Sequence, residues 1–249
     1  MISAPYKFFE NFKKDLINHK TPVKQTLSLF FSQIFIIIFG ILTAGITTRT
    51  LGPRDYGILS LFGTITGFVI PIFGFGFFDS IRVLMAQTEK KEKQRELAGT
   101  TILLTAVIGL IYALFIFVIS FFVDRIFKTN IGFILRIFSP FCWIFIFNSL
   151  IPSLAQGSNK IYSLSFFNIF SKGLYAGALF IGIFLFKIRI DGILLLSFST
   201  LIISVFWVLK IFKPLFTHLR LNLSQIMQKN KEFGFEYYKG SILSLTSYK

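Results

Sequence analysis

TLSLFFSQIFIIIFGILTAGIT, Thr26 to Thr47, decides the fold. The run carries no charge, and a helix needs about 20 mostly apolar residues to cross roughly 30 Å of hydrocarbon. It is apolar on every helix face, so a soluble core could not cover it. Five further stretches share its character: Ile58 to Phe78, Thr100 to Val123, Phe133 to Leu154, Leu164 to Phe186 and Gly192 to Leu209. None shows the period-two alternation of a barrel strand. The expected fold class is therefore all-α integral membrane, with about six transmembrane helices.

The composition agrees. Of 249 residues, 54% are hydrophobic and 15% charged, where a soluble domain carries roughly a quarter charged residues. Net charge is +15, which in a soluble chain would suggest nucleic acid. Here the basic residues flank the apolar runs, where they meet anionic headgroups and set orientation. Membrane lipids are thus expected partners and nucleic acid is not. Cys142 is the only cysteine, so no intrachain disulfide can form; His19 and His218 lie far apart without ligand spacing. Neither a metal nor a cofactor is expected.

The organisation reads as a basic tail over 1–25, six spans over 26–213, a basic linker over 214–240 and the start of a seventh transmembrane helix over 241–249. Nine residues of helix rise only about 14 Å, so the chain is expected to stop at the entry to that span. Charge is unequal between the two sides. Lys7, Lys13, Lys14, Lys20 and Lys24 share one side with Arg82, Lys90, Lys91, Lys93, Arg95 and Lys160, and with Lys210, Lys213, Arg220, Lys229 and Lys231. The other side has Arg49, Arg54, Arg125, Lys128, Lys187 and Arg189. By the positive-inside rule the richer side, with the N-terminus, faces the cytoplasm of a multi-pass inner (cytoplasmic) membrane protein.

Ionisable residues within spans are costly and therefore informative. Lys172 falls about eight residues into the fifth span, ~12 Å from its start. It is read either as a cation in a water-filled cavity awaiting an anion, or as a side chain reaching the interface. Arg136 lies near the end of span four and could snorkel or line a cavity. Asp79 and Arg82, at i and i+3, form an interfacial ion pair or a charged gate. Asn148, Pro152 and Gln156 recur every fourth residue, with Ser149 and Ser153 beside them, so one face of span four is a polar stripe. Gly63, Gly67, Pro71, Gly74 and Gly76 suit either close packing or bending in span two.

The segment TRTLGPRDYGILSL (Thr48 to Leu61) resembles the turn between the first two helices of lipid-linked oligosaccharide flippases, a polysaccharide biosynthesis family of the multidrug/oligosaccharidyl-lipid/polysaccharide exporter superfamily. Arg49, Leu51, Gly52, Pro53, Tyr56 and Gly57 match that family's R-x-L-G-P-x-x-Y-G stretch. GFGFFDSIRV (Gly74 to Val83) looks like the end of its second helix, though more aromatic than usual. KEFGFEYYKGSILSL (Lys231 to Leu245) resembles the lead-in to its seventh.

The resemblance implies a transporter of about twelve to fourteen helices in two lobes around a cationic cavity, with this chain as the N-terminal lobe. Its substrate would be an undecaprenyl-diphosphate-linked oligosaccharide, such as an O-antigen or capsule repeat unit, moved to the outer leaflet by alternating access. Other polysaccharide-assembly proteins would be its partners. The family performs no covalent chemistry, so no catalytic residue is implied and the chain is not expected to be an enzyme. Two alternatives remain. A small-molecule exporter of the same superfamily would rely on intramembrane carboxylates, and no Asp or Glu falls near the middle of a span. A membrane enzyme of polysaccharide assembly would need acid–base or metal-binding groups near the interface, where Glu89, Glu92, Glu96, Glu232 and Glu236 instead sit beside lysines.

Overall fold

The computed structural model describes residues 20–186 and 188–247. The tail positions Lys7, Lys13 and Lys14, together with Lys187 and the end of the expected seventh-helix segment (248 and 249), lie outside them. The described residues are helical throughout apart from short turns. α1 spans Lys20–Phe73, α2 Phe77–Ala86, α3 Lys91–Phe127, α4 Ile131–Phe138, α5 Phe147–Gly157, α6 Ile161–Phe186, α7 Ile190–Phe212, α8 Leu219–Lys229 and α9 Phe235–Ser247. A 3-10 stretch, Ser139–Ile146, joins α4 to α5, and a π turn, Asn230–Gly234, joins α8 to α9.

Five helical segments are long and apolar enough to cross a membrane: Val23–Phe73, Lys91–Phe127, Ile131–Gly157, Ile161–Phe186 and Ile190–Phe212. The first makes two passes. Helical geometry holds through α1 except at Gly52, where φ is 72° and ψ is 174°. That backbone region is open essentially to glycine alone, and the chain reverses there. Phe39 lies beside Gly173, and Ile46 and Leu51 pack with Leu179 and Ile183, so the first arm climbs alongside α6. The second arm descends from Arg54, beside Lys128–Asn130, to Ile70 and Gly74, beside Arg82 and Tyr238. The passes therefore number six, as expected. The turn expected within Thr48 to Leu61 is narrow, a single residue between two helices.

The loops segregate as their charges suggested. Arg54 shares one end with Lys128, and Arg189 with Thr50 and Asp55. Lys91, Arg95, Lys160 and Lys213 meet at the other, more basic end. Between the ends, the outer surface is apolar: Leu110 and Leu114 of α3 and Phe184 to Phe186 of α6 are exposed, as a bilayer solvent permits.

The core joins the second arm of α1 to α3, α4, α5 and α7. Phe62, Phe138 and Phe198 bring three elements to one aromatic joint, with ring centroids 6.0 to 6.4 Å apart. Tyr112 is fully buried against Phe73 and donates its hydroxyl to the Thr66 carbonyl at 2.8 Å. Replacing Tyr112→Phe removes only that bond. It is expected to lower stability by about 1 kcal/mol, measurable as a shift in the denaturation midpoint of the detergent-solubilised protein.

Three sequence expectations are corrected. The second span ends at Phe73, not Phe78; Gly74 to Gly76 form a turn, and Asp79 and Arg82 belong to the separate helix α2. Span four is not one regular helix. Pro140 lacks an N–H and clashes with the carbonyl four residues back, that of Arg136. The Ser139 hydroxyl donates to that carbonyl at 2.9 Å instead, and the chain tightens to 3-10 geometry until Ile146. Gly63 and Gly67 do not serve close packing within the described chain, because a Cβ on either would meet open space.

The basic segment after α7 is helical from Leu219, and α8 and the π turn pack beneath α2. Asn230 is buried there; its Nδ2 donates to the Phe75 carbonyl at 3.1 Å, and the Ser80 hydroxyl donates to its Oδ1 at 3.1 Å.

Candidate functional site

α6 begins at Ile161, three residues before the expected start of the fifth span. Lys172 is thus the twelfth of 26 residues, near the middle of the helix. It lines a cavity of about 260 Å³ with Phe145, Asn148, Ser171, Tyr175, Ser197 and Thr200. The 3-10 stretch supplies Phe145, α5 supplies Asn148, α6 supplies Ser171, Lys172 and Tyr175, and α7 supplies Ser197 and Thr200. The ammonium has neither a hydrogen-bond partner nor an ion-pair partner among the described residues. A cation is expensive at membrane depth, and no described carboxylate pairs with this one.

The two α7 hydroxyls bond backward to carbonyls of their own helix, Ser197 to Leu194 at 2.7 Å and Thr200 to Leu196 at 2.8 Å. They make the wall polar without leaving unmet donors. Sequence reasoning passed over both. The available signal was their i, i+3 spacing within an otherwise apolar run.

A second cavity of about 280 Å³ lies nearer the basic end, lined by Asp79, Arg82, Ser149, Pro152, Ser153, Gln156, Tyr238 and Ser241, among others. Arg82 is ion-paired with Asp79 and donates from Nη1 to Gln156 Oε1 at 3.1 Å. Close contact of Gly157 with the Arg82 backbone and Met85 sets α2 against α5 and so positions the guanidinium. Tyr238, from α9, closes one side by donating its hydroxyl to the Ile72 carbonyl at 2.9 Å.

The stripe on α5 joins the two cavities. Asn148 opens into the first, while Pro152 and Gln156 open into the second; eight residues of helix separate Asn148 from Gln156 by ~12 Å. Arg136 stands apart from both. Its guanidinium lies 4.7 Å from the Phe121 ring centroid, and its Nε donates to the Gly132 carbonyl at 3.4 Å. Stacking on an aromatic face accommodates the charge.

In the turn motif, Gly52 makes the reversal and Leu51 packs under Ile183 and Ile188. Arg49 and Pro53 are exposed, Tyr56 is half-buried and Gly57 is exposed. The motif therefore shapes the hairpin and lines neither polar cavity. The described carboxylates sit toward the helix ends or in loops. Asp124, for example, accepts the Gly132 N–H at 2.7 Å and caps α4.

Residues 23–247 match the family described as Polysaccharide biosynthesis protein. Among curated proteins none matches. A MOP superfamily transporter from Pyrococcus furiosus superposes with a TM-score of 0.64 at 15% identity, over 85% of this chain and 51% of that one. An outward-facing multidrug resistance MATE family transporter of the same superfamily gives 0.62 at 13%, over 84% and 50%. A MATE protein in its straight conformation gives 0.63 at 13%, over 76% and 44%. The chain spans about half the length of these solved structures, as one lobe of their fold does.

Proposed function

The chain belongs to the polysaccharide biosynthesis protein family, and from that premise we propose that it is the N-terminal lobe of a transporter for a lipid-linked oligosaccharide. The substrate is an undecaprenyl-diphosphate-linked repeat unit, carried from the cytoplasmic to the outer leaflet by alternating access. The observation that carries this reading is the unpaired Lys172 in the middle of α6, facing a polar cavity with Asn148. A diphosphate is the part of such a substrate that most resists hydrocarbon, and an unpaired cation at membrane depth offsets that cost. Gln156 and the Asp79–Arg82 pair, farther along α5, supply a second station toward the basic end. That end is placed in the cytoplasm of the inner membrane, which its excess of Lys and Arg supports.

A small-molecule exporter of the same superfamily is the second reading, favoured by the likeness to a multidrug resistance transporter. The absence of a carboxylate near the middle of any described pass weighs against it. Deleting the gene in its host tests the proposal. Lipid-linked oligosaccharide is expected to accumulate in the cytoplasmic leaflet, with loss of the surface polysaccharide. Unchanged lipid-linked intermediates, together with sensitivity to small toxic compounds, would favour the exporter.

A further inference from the structure

Beyond the two cavities above, a third opens at the basic end where the start of α3, the turn between α5 and α6 and the end of α7 meet. Its volume is about 180 Å³, and its polar lining is Lys91, Gln94, Arg95, Ser158, Lys160 and Lys213. It shares no lining residue with either of the others. We propose that this cleft binds a phosphate group, that of an anionic phospholipid headgroup or of free phosphate.

Four cations line the cleft and no carboxylate does. The acidic side chains at the start of α3 are committed elsewhere or face solvent: Glu96 accepts from the Thr217 hydroxyl at 3.0 Å and lies 3.6 Å from Lys93, and Glu92 is exposed. Burial, and then the charges of Arg95, Lys213 and Lys91, push the Lys160 ammonium below its ordinary value. Like charges gathered this closely destabilise one another unless an anion joins them.

Two of the cations are held in place. Lys160 Nζ donates to the Ile211 carbonyl at 3.1 Å and lies 4.8 Å from the Phe212 ring centroid. Arg95 Nε donates to the Lys213 carbonyl at 2.8 Å. These bonds satisfy the end of α7, yet carbonyl dipoles do not neutralise four full charges. Among the described residues the side-chain ammoniums of Lys91 and Lys213 make no hydrogen bond or ion pair and are available to a ligand.

The cleft lies level with the ends of the spans, at the depth of a lipid phosphate.

The test uses the full chain, purified in detergent and exposed to mixed micelles of equal phosphatidylglycerol and phosphatidylcholine, with bound lipid counted by native mass spectrometry. The wild-type chain is expected to retain phosphatidylglycerol preferentially. Each surface cation contributes roughly fivefold to anionic-lipid affinity, so Lys91→Gln with Lys213→Gln is expected to lower that preference about tenfold or more. Neither lysine's ammonium is bonded, and both substitutions keep the backbone bonds of Lys213, so the fold is retained. Arg220→Gln with Lys231→Gln removes the same charge from exposed positions outside the cleft and is expected to change nothing.

A second arm adds inorganic phosphate without lipid and follows the thermal midpoint. A rise that the Lys91/Lys213 pair abolishes, without preference for phosphatidylglycerol, identifies free phosphate as the ligand. No lipid preference and no rise overturns the proposal. So does an equal loss in the Arg220/Lys231 pair, which would reduce the effect to net charge.

Discussion

Lys172→Glu is expected to abolish transport while leaving the protein folded. The side chain makes no bond in the structure, so its loss disrupts no contact within the lobe. In the proposed transporter the new carboxylate instead faces an incoming diphosphate across the cavity. Placing like charges together at such a site costs several kcal/mol, a reduction of about a hundredfold or more in productive binding. Lys172→Arg keeps the charge and is expected to retain most activity, with Lys172→Gln between the two. Surface polysaccharide and accumulated lipid-linked intermediate are the readouts. Protein level and thermal midpoint serve as the check that folding is unchanged. A Lys172→Glu strain with normal surface polysaccharide would remove Lys172 from the transport path.

The second large effect is on stability. Gly76 has φ of 76° and ψ of −2° at the start of α2, and its backbone touches that of Gly234 in the π turn. Gly76→Ala therefore faces two costs. Left-handed backbone disfavours an L side chain by roughly 1–2 kcal/mol. The added methyl also falls inside the Gly234 carbonyl and close to Asn230 Oδ1, where overpacking costs typically about 1–3 kcal/mol. Backbone cannot swing aside as the tip of a side chain can, so α8 and the π turn must shift away from α2. That opens the bonds from Asn230 to Phe75 and from Ser80 to Asn230. A loss of about 2–5 kcal/mol is expected, read as a lowered thermal midpoint together with faster amide exchange over α8 and α9. Gly63→Ala is the control, because its Cβ meets open space in ordinary helix; it is expected to be neutral or slightly stabilising. Equal midpoints for the two variants would show that the glycine contact does not hold the segment.

The fold was legible in the sequence because the bilayer imposes a rule readable one segment at a time: about 20 apolar residues per pass, helical throughout. The passes, their alternation and the segregation of basic loops followed without any knowledge of packing. So did a turn within Thr48 to Leu61, although only the structure narrows it to the single residue Gly52. The local breaks were harder to see. Hydropathy does not register the 3-10 stretch, since Ser139 to Ile146 is as apolar as the helices beside it. Pro140 caused that break, whereas Pro152 sits within α5.

For the candidate site, sequence by itself determined which polar residues lie within apolar runs, and periodicity placed Asn148, Pro152 and Gln156 on one face. Those inferences rest on the geometry of a single helix, which the chain carries locally. Which helices face one another depends on packing between residues far apart in sequence. Only the tertiary structure could therefore decide that Lys172 and Asn148 share a cavity with Ser197 and Thr200, that Arg82 meets Gln156, and that Arg136 joins neither. It alone brought Lys91 and Arg95 of α3, Lys160 from the turn before α6 and Lys213 from the end of α7 to one cleft.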